Sequence, residues 1–110
     1  MERDIAERDW KVFKELHSIA MNRFFEKAVK DMQPMLWHKD KPAQERFWDA
    51  LTYAKKQREQ AARLFDGKSR SNAVFQAGLI YANHLLSKEE INRFSPEMQE
   101  HLERFLTVGL

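Results

Sequence analysis

An apolar stripe in the middle of the chain constrains the fold more than any other feature of the sequence. Between residues 47 and 65, side chains recur at steps of four and three, which is the spacing of one face of an α-helix. The stripe consists of Phe47, Leu51, Ala54, Arg58, Ala61 and Phe65. Arg58 is its only member that is not apolar. The stripe therefore predicts a helix that packs against other helices, with one guanidinium in the contact.

Arg58 needs an acceptor if it lies in a packed stripe, because a buried guanidinium without a carboxylate or a carbonyl is costly. We expect its aliphatic stem to pack in the core and its head to pair with a carboxylate. The first carboxylates to consider are Glu15, Glu26 and Asp66. The alternative interpretation makes Arg58 the anchor of an anionic ligand in a cleft between helices.

Capping residues and breakers set the bounds of the first two helices. Asp4 and Glu7 form a capping pair at the start of the first helix. That helix is expected to end just before Pro34, because proline disfavours helical geometry in the residue that precedes it. The second helix begins at Pro42, which suits a first helical turn, and ends at Gly67, which supplies a left-handed cap.

The remaining third of the chain is predicted to contain three helices. Ser69 and Ser71 are both candidate N-caps of the third helix, which is expected to run to about Leu86. Ser87 opens a capping box and a short helix that continues through residue 94. Ser95 caps the last helix, whose first residue is a proline.

Together these elements predict an all-α fold, with residues 1–110 in a single domain. Its architecture is a long antiparallel helical hairpin, covered by a third helix and two shorter C-terminal helices. The covering helices are short relative to the hairpin, so we expect part of the hairpin's apolar surface to stay uncovered. A homodimer is the simplest way to bury such a surface.

Composition and motifs exclude several classes of function. The chain has no cysteine and only three glycines, which leaves out thiolate metal sites, cysteine nucleophiles and glycine-rich phosphate loops. The four histidines are dispersed, so we expect structural roles for them, no metal or other cofactor, and no catalytic residues. The first twenty residues are rich in charge and lack a signal peptide's apolar segment, so we expect a cytoplasmic protein without membrane association.

A loop after the second helix is the best sequence candidate for a ligand site. Lys68, Arg70 and Ser71 precede a helix start, where free N–H groups favour anions. With Lys55 and Lys56, the basic segment 55–70 suggests an alternative function as a nucleic-acid-associated regulator. The net charge of only +2 opposes it, and ordinary capping with charge compensation inside the protein also explains the segment.

The aromatic residues Trp37, Phe47 and Trp48 lie around the connection between the first two helices. One interpretation makes them plugs of the core at the end of the hairpin. The other makes them an exposed patch that contacts a protein partner, because aromatic side chains dominate interface energetics. They are the candidate interface residues of the chain.

Four segments resemble a set of short all-helical bacterial proteins of uncharacterised function. The segments are residues 7–16, residues 23–25, Phe65-Asp66 with Arg70-Ser71 and Ala73, and the run Phe94-Ser95-Pro96-Glu97. The resemblance implies a bacterial cytoplasmic protein and assigns no activity. We therefore expect a non-enzymatic helical protein–protein interaction module that self-associates, with an unidentified protein partner as a further possibility.

Overall fold

The computed structural model describes residues 5–108, which form five helices and contain no strand. The helices are α1 (Glu7–Trp37), α2 (Ala43–Phe65), α3 (Ala73–Ala82), α4 (Lys88–Ile91) and α5 (Pro96–Val108). This confirms the all-α class and the long hairpin with three shorter helices. Asp4, the first residue of the expected capping pair, lies outside the described residues.

Helices α1 and α2 form the antiparallel hairpin, and two hydrogen bonds show which residues lie opposite each other. His17 Nε2 donates to the Phe65 carbonyl over 2.9 Å, near the open end of the hairpin. The Tyr53 hydroxyl donates to Asp31 over 3.1 Å, about midway along α2. The molecule is elongated, with extents of 58 × 26 × 24 Å.

Helix α1 continues for about one turn beyond its expected end, so the prediction that it stops before Pro34 is wrong. Pro34 lies in the last turn, so it removes a single hydrogen bond and only three helical residues follow it. Arg46 of α2 supports this turn from outside, because its Nη1 donates to the Leu36 carbonyl over 2.8 Å. Its Nε also donates to the Lys41 carbonyl over 3.0 Å, so one guanidinium holds both sides of the connection.

Helix α3 ends at Ala82, four residues before the predicted end at Leu86. The Asn83 side chain donates to the Leu79 carbonyl over 2.7 Å, which competes with continuation of the helix. His84 then adopts a φ of +64°, in the left-handed region. The chain therefore turns at His84 and brings Leu86 into the core, where it is buried.

The start of α3 also differs from the prediction. Asn72 occupies the N-cap position and makes no side-chain capping bond. The Ser69 hydroxyl instead accepts a hydrogen bond from the Asn72 amide over 3.3 Å, one residue before the helix. Ser71 is exposed and its hydroxyl lies 3.3 Å from that of Ser69.

Three local predictions are confirmed. Gly67 has a φ of +76° directly after α2. Ser87 and Glu90 form a complete capping box, although α4 ends at Ile91 rather than at residue 94. The Ser95 hydroxyl accepts from the Met98 amide over 3.2 Å at the start of α5.

Helices α3–α5, which we call the C-terminal lobe, pack on the half of the hairpin formed by the beginning of α1 and the end of α2. Asp9 is 3% exposed, and its carboxylate accepts the amide and the hydroxyl of Ser95 over 2.8 and 2.6 Å. Arg23 donates to both carboxylate oxygens of Glu90 over 2.8 and 2.7 Å. With the Ser87 amide, this lowers the pKa of Glu90 to about 2. These contacts fix the lobe to one side of α1.

Candidate functional site

The three candidate interface residues are exposed at the end of the hairpin. Trp37 is 74% exposed, Phe47 59% and Trp48 52%. The rings of Phe47 and Trp48 contact each other edge to face, with centroids 5.0 Å apart. The interpretation as core plugs is therefore wrong, and the residues form an aromatic patch on the surface.

We call the half of the hairpin that ends at the connection between α1 and α2 its distal half, and the other half its proximal half. The aromatic patch continues into an apolar surface along the distal half, and we call this surface the hairpin face. Its members recur at helical spacing on both helices. They are Phe25, Val29, Met32 and Leu36 on α1, and Phe47, Leu51, Ala54 and Arg58 on α2. Phe25, Val29, Leu36 and Phe47 are exposed, and Met32, Leu51 and Ala54 are half-buried. Seven of the eight positions are thus apolar and accessible.

The two rows of the hairpin face lie on the same side of the hairpin. The facing residues of the two helices include Asp31 and Tyr53, which are bonded to each other. One residue further along each helix rotates the side chain by about 100°. In an antiparallel pair these rotations turn both rows toward the same side. The levels also match, since Met32 lies opposite Leu51 and Leu36 opposite Phe47.

The C-terminal lobe does not cover the hairpin face. Arg23, which bonds to Glu90 and to the Leu85 carbonyl, faces the lobe. Phe25 follows Arg23 by two residues, so its side chain projects about 200° further around α1. The hairpin face therefore looks away from the lobe. On the lobe's side, the distal hairpin carries the ion pairs Lys27–Asp31 and Lys41–Asp49 instead.

Arg58 does not occupy the packed position that its stripe predicts. The residue is exposed, and within residues 5–108 it makes no hydrogen bond or ion pair. Glu15, one of its expected partners, pairs with Arg93. The side of α2 that packs against α1 is rotated around the helix by about one residue from the predicted stripe. As a result Ala50 is buried, while Phe47 and Arg58 face solvent. Arg58 consequently marks the inner end of the hairpin face.

The loop after α2 has little resemblance to an anion site. Arg70 forms an ion pair with Glu7, and this guanidinium lowers the pKa of Glu7. The Arg70 guanidinium also lies 5.6 Å from the centre of the Trp10 ring. Lys68 and Ser71 are exposed and are not brought together with Arg58. Arg70 therefore connects the loop to α1.

Lys55 and Lys56, the remaining residues of the basic segment, are exposed on α2. Neither belongs to the hairpin face, and they point about 100° apart around the helix. Of the four basic residues proposed from the sequence, Arg70 is therefore already paired with Glu7, and the two lysines of α2 point in different directions.

An open cleft of about 390 Å³ lies between the hairpin and the segment 83–85. Its polar members satisfy each other, because Lys27 and Tyr53 both donate to Asp31. These bonds lower the pKa of Asp31, and burial together with the bond to Asp31 raises the pKa of Tyr53. Phe24 and Leu64 contribute its apolar wall. The cleft thus offers no charge that lacks a partner.

His17 is the only buried histidine of the described chain, and burial lowers its pKa. Residues 5–108 contain no group of three or more histidine, aspartate and glutamate side chains arranged to hold a metal ion. None of the helices in this part of the chain is long and apolar enough to cross a membrane.

Two important residues were missed from the sequence. Arg46 supports the tip of the hairpin, and Asp9 holds Ser95 across the fold. Arg46 and Asp9 bond to backbone or hydroxyl groups, and the pattern of charged residues in a sequence does not predict such partners. The row Phe25, Val29, Met32 and Leu36 had a detectable helical spacing, but only the structure shows that it lies beside the α2 stripe.

Comparisons with protein-family models, with curated proteins and with solved structures found no match to this chain. The resemblance to short bacterial proteins consequently stays a prediction.

Proposed function

We propose that this chain is a non-enzymatic helical interaction module of the bacterial cytoplasm, which self-associates through the hairpin face. The observation that carries the proposal is a continuous apolar surface, on two helices, that the C-terminal lobe leaves uncovered. Six of the eight exposed large hydrophobic side chains lie between Phe25 and Trp48. Their concentration in one region of the chain distinguishes this surface from ordinary scattered exposure.

The size of the surface supports a stable interface. Aromatic side chains carry about 150–250 Å² each, so the half-exposed rings of Phe25, Trp37, Phe47 and Trp48 present on the order of 450 Å². A standard interface buries about 800 Å² per partner, of which somewhat more than half is apolar. The hairpin face and the aromatic patch together therefore supply about the apolar area that one partner contributes.

A second copy of the chain is the occupant that the geometry favours. The distal hairpin is two helices with one bare apolar side, and two such hairpins placed face to face form a four-helix bundle. An isologous contact of this kind closes on itself and leaves no apolar side exposed. A protein partner other than a second copy is a different outcome of the test below.

Light scattering after size exclusion, over a range of concentrations, tests the proposal. We expect twice the chain mass of 13.2 kDa at high concentration, with dissociation on dilution. Phe47→Glu places a charge at a residue that the aromatic patch and the hairpin face share, and should weaken self-association at least tenfold. Val108→Glu is the matched control, because Val108 is exposed but lies outside the hairpin face.

A wild-type chain that stays monomeric at every concentration overturns the proposal and leaves the hairpin face to another protein. Equal weakening by Val108→Glu and Phe47→Glu also contradicts it, because the contact then does not depend on this face.

The nucleic-acid alternative has weaker support. Arg70 is paired within the chain, and the net charge is only +2. Binding to DNA or RNA that falls steeply with salt concentration would favour it.

A further inference from the structure

The hairpin face changes its chemical character along α1. Toward the N-terminus, the row that contains Phe25 continues with the same helical spacing. It passes through Met21, Ser18, Lys14 and Lys11 and ends at Glu7, whose carboxylate is paired with Arg70. Ser18, Lys14 and Lys11 are exposed. The side of the hairpin that looks away from the C-terminal lobe thus has an apolar distal half and a basic proximal half.

Lys68 adds to the basic half. It lies three residues after Phe65, whose carbonyl accepts from His17, and is therefore near this level of the proximal half. Within residues 5–108, neither Lys68 nor Lys11 forms an ion pair, and Lys14 contacts the Trp10 ring from 5.4 Å. The charges of these ammonium groups therefore act on any partner that extends over this half.

Two-fold symmetry permits two ways of placing one hairpin face on another. In a parallel pair, with the axis along the helices, both tips lie at the same end. The basic halves of the two copies then face each other, and their lysines repel. In an antiparallel pair, with the axis across the helices, the tips lie at opposite ends, and only the apolar halves overlap.

We infer that two copies of this chain pair antiparallel, with the two-fold axis near the level of Val29 and Met32. The inference rests on the proposed self-association and adds its geometry. Helix α1 then lies on α1 of the second copy, and α2 lies on α2. Apolar rows contact apolar rows, and the lysines of each copy lie beyond the tip of the other.

This arrangement also accounts for the charge in the apolar stripe of α2. Around the two-fold axis, Arg58 lies opposite Phe47 of the second copy, while Ala54 lies opposite Leu51. A guanidinium over an aromatic ring makes a favourable cation–π contact. The N–H groups at the edge of the guanidinium can then still bond to water. Arg58 thus needs no carboxylate in the dimer.

Pulsed electron paramagnetic resonance on spin-labelled chains measures the arrangement directly. The chain has no cysteine, so single-cysteine variants carry a label at one site only. Lys39→Cys marks the tip and Ser18→Cys marks the basic half, and both residues are exposed. From the rise of 1.5 Å per residue, the antiparallel pair should separate the two labels by roughly 30 Å at position 39 and 40 Å at position 18.

A parallel pair would bring both label pairs within about 20 Å, since only the spacing between helices separates them. Short distances at both sites in a sample of dimeric mass overturn the antiparallel arrangement and leave self-association standing. A monomeric mass of the labelled and unlabelled chains contradicts the proposed function itself. Long distances at both sites support the inference.

Discussion

At the scale of single residues, His17 is the point where the interior of the protein is sensitive to pH. The ring is buried between Phe13 and Phe65, and its Nε2 donates to the Phe65 carbonyl. Burial disfavours the imidazolium and lowers the pKa of His17 below its value in the unfolded chain. Below about pH 6.5 the unfolded chain therefore binds a proton that the native protein does not.

We predict that the free energy of unfolding is highest above about pH 6.5 and falls as the pH is lowered toward 5. Urea unfolding at several pH values measures this dependence. His17→Gln keeps an N–H donor for the Phe65 carbonyl and should flatten the curve, at a cost of about 1–3 kcal/mol from altered packing. His101→Gln, at an exposed position, serves as the control. An unchanged slope in His17→Gln would contradict the assignment.

At the scale of elements, the contact between α3 and α5 depends on one glycine. A Cβ at Gly78 would lie 2.4 Å from the ring of Phe105, which is closer than any van der Waals contact. The missing side chain allows the two helices to approach each other.

We predict that Gly78→Ala destabilises the protein by about 1–2 kcal/mol, although alanine favours a helix by about 1 kcal/mol over glycine. Thermal unfolding followed by circular dichroism measures the change. Phe105→Leu removes the ring that blocks the new methyl group, so the double variant should lose less than the two single losses combined. Strict additivity would show that the two residues do not compete for space.

Helix boundaries show how far local signals reach. Gly67, Ser87 and Ser95 were predicted correctly because each acts on backbone groups within a few residues. The ends of α1 and α3 were predicted wrongly because tertiary contacts decide them. Arg46 supports the turn that contains Pro34, and burial of Leu86 requires the chain to reverse at His84.

The candidate site was predictable only in its composition. The sequence indicates an apolar surplus and three aromatic residues near the connection. It does not indicate which side of the hairpin the C-terminal lobe covers, because that follows from pairs such as Arg23–Glu90, which lie far apart in the chain. The rotation of the packing row, which exposes Arg58, has the same origin.

At the scale of the whole molecule, the C-terminal lobe covers the proximal half of the hairpin and leaves the distal half uncovered. Phe13, Leu16 and Ala20 are buried under the C-terminal lobe. The distal half packs only as one helix against the other. Regions with few buried apolar contacts open at a lower free energy than the rest of a protein.

We predict that in dilute solution the amides of residues 25–36 and 47–58 exchange with deuterium faster than those of residues 13–20. If two copies pair as proposed, the difference should shrink at high concentration, because a second copy then covers the distal half. Hydrogen-exchange mass spectrometry at two concentrations measures both effects. Equal exchange rates in both halves of the hairpin in dilute solution would contradict this prediction.

The guanidinium of Arg46 has a consequence for the rate of association. By holding the carbonyls of Leu36 and Lys41, it fixes the connection between α1 and α2 before any partner arrives. A preorganised surface loses little conformational entropy when it docks. Encounter of two copies should then be limited by diffusion and orientation, at about 10⁵–10⁷ M⁻¹s⁻¹, rather than by folding of the hairpin tip.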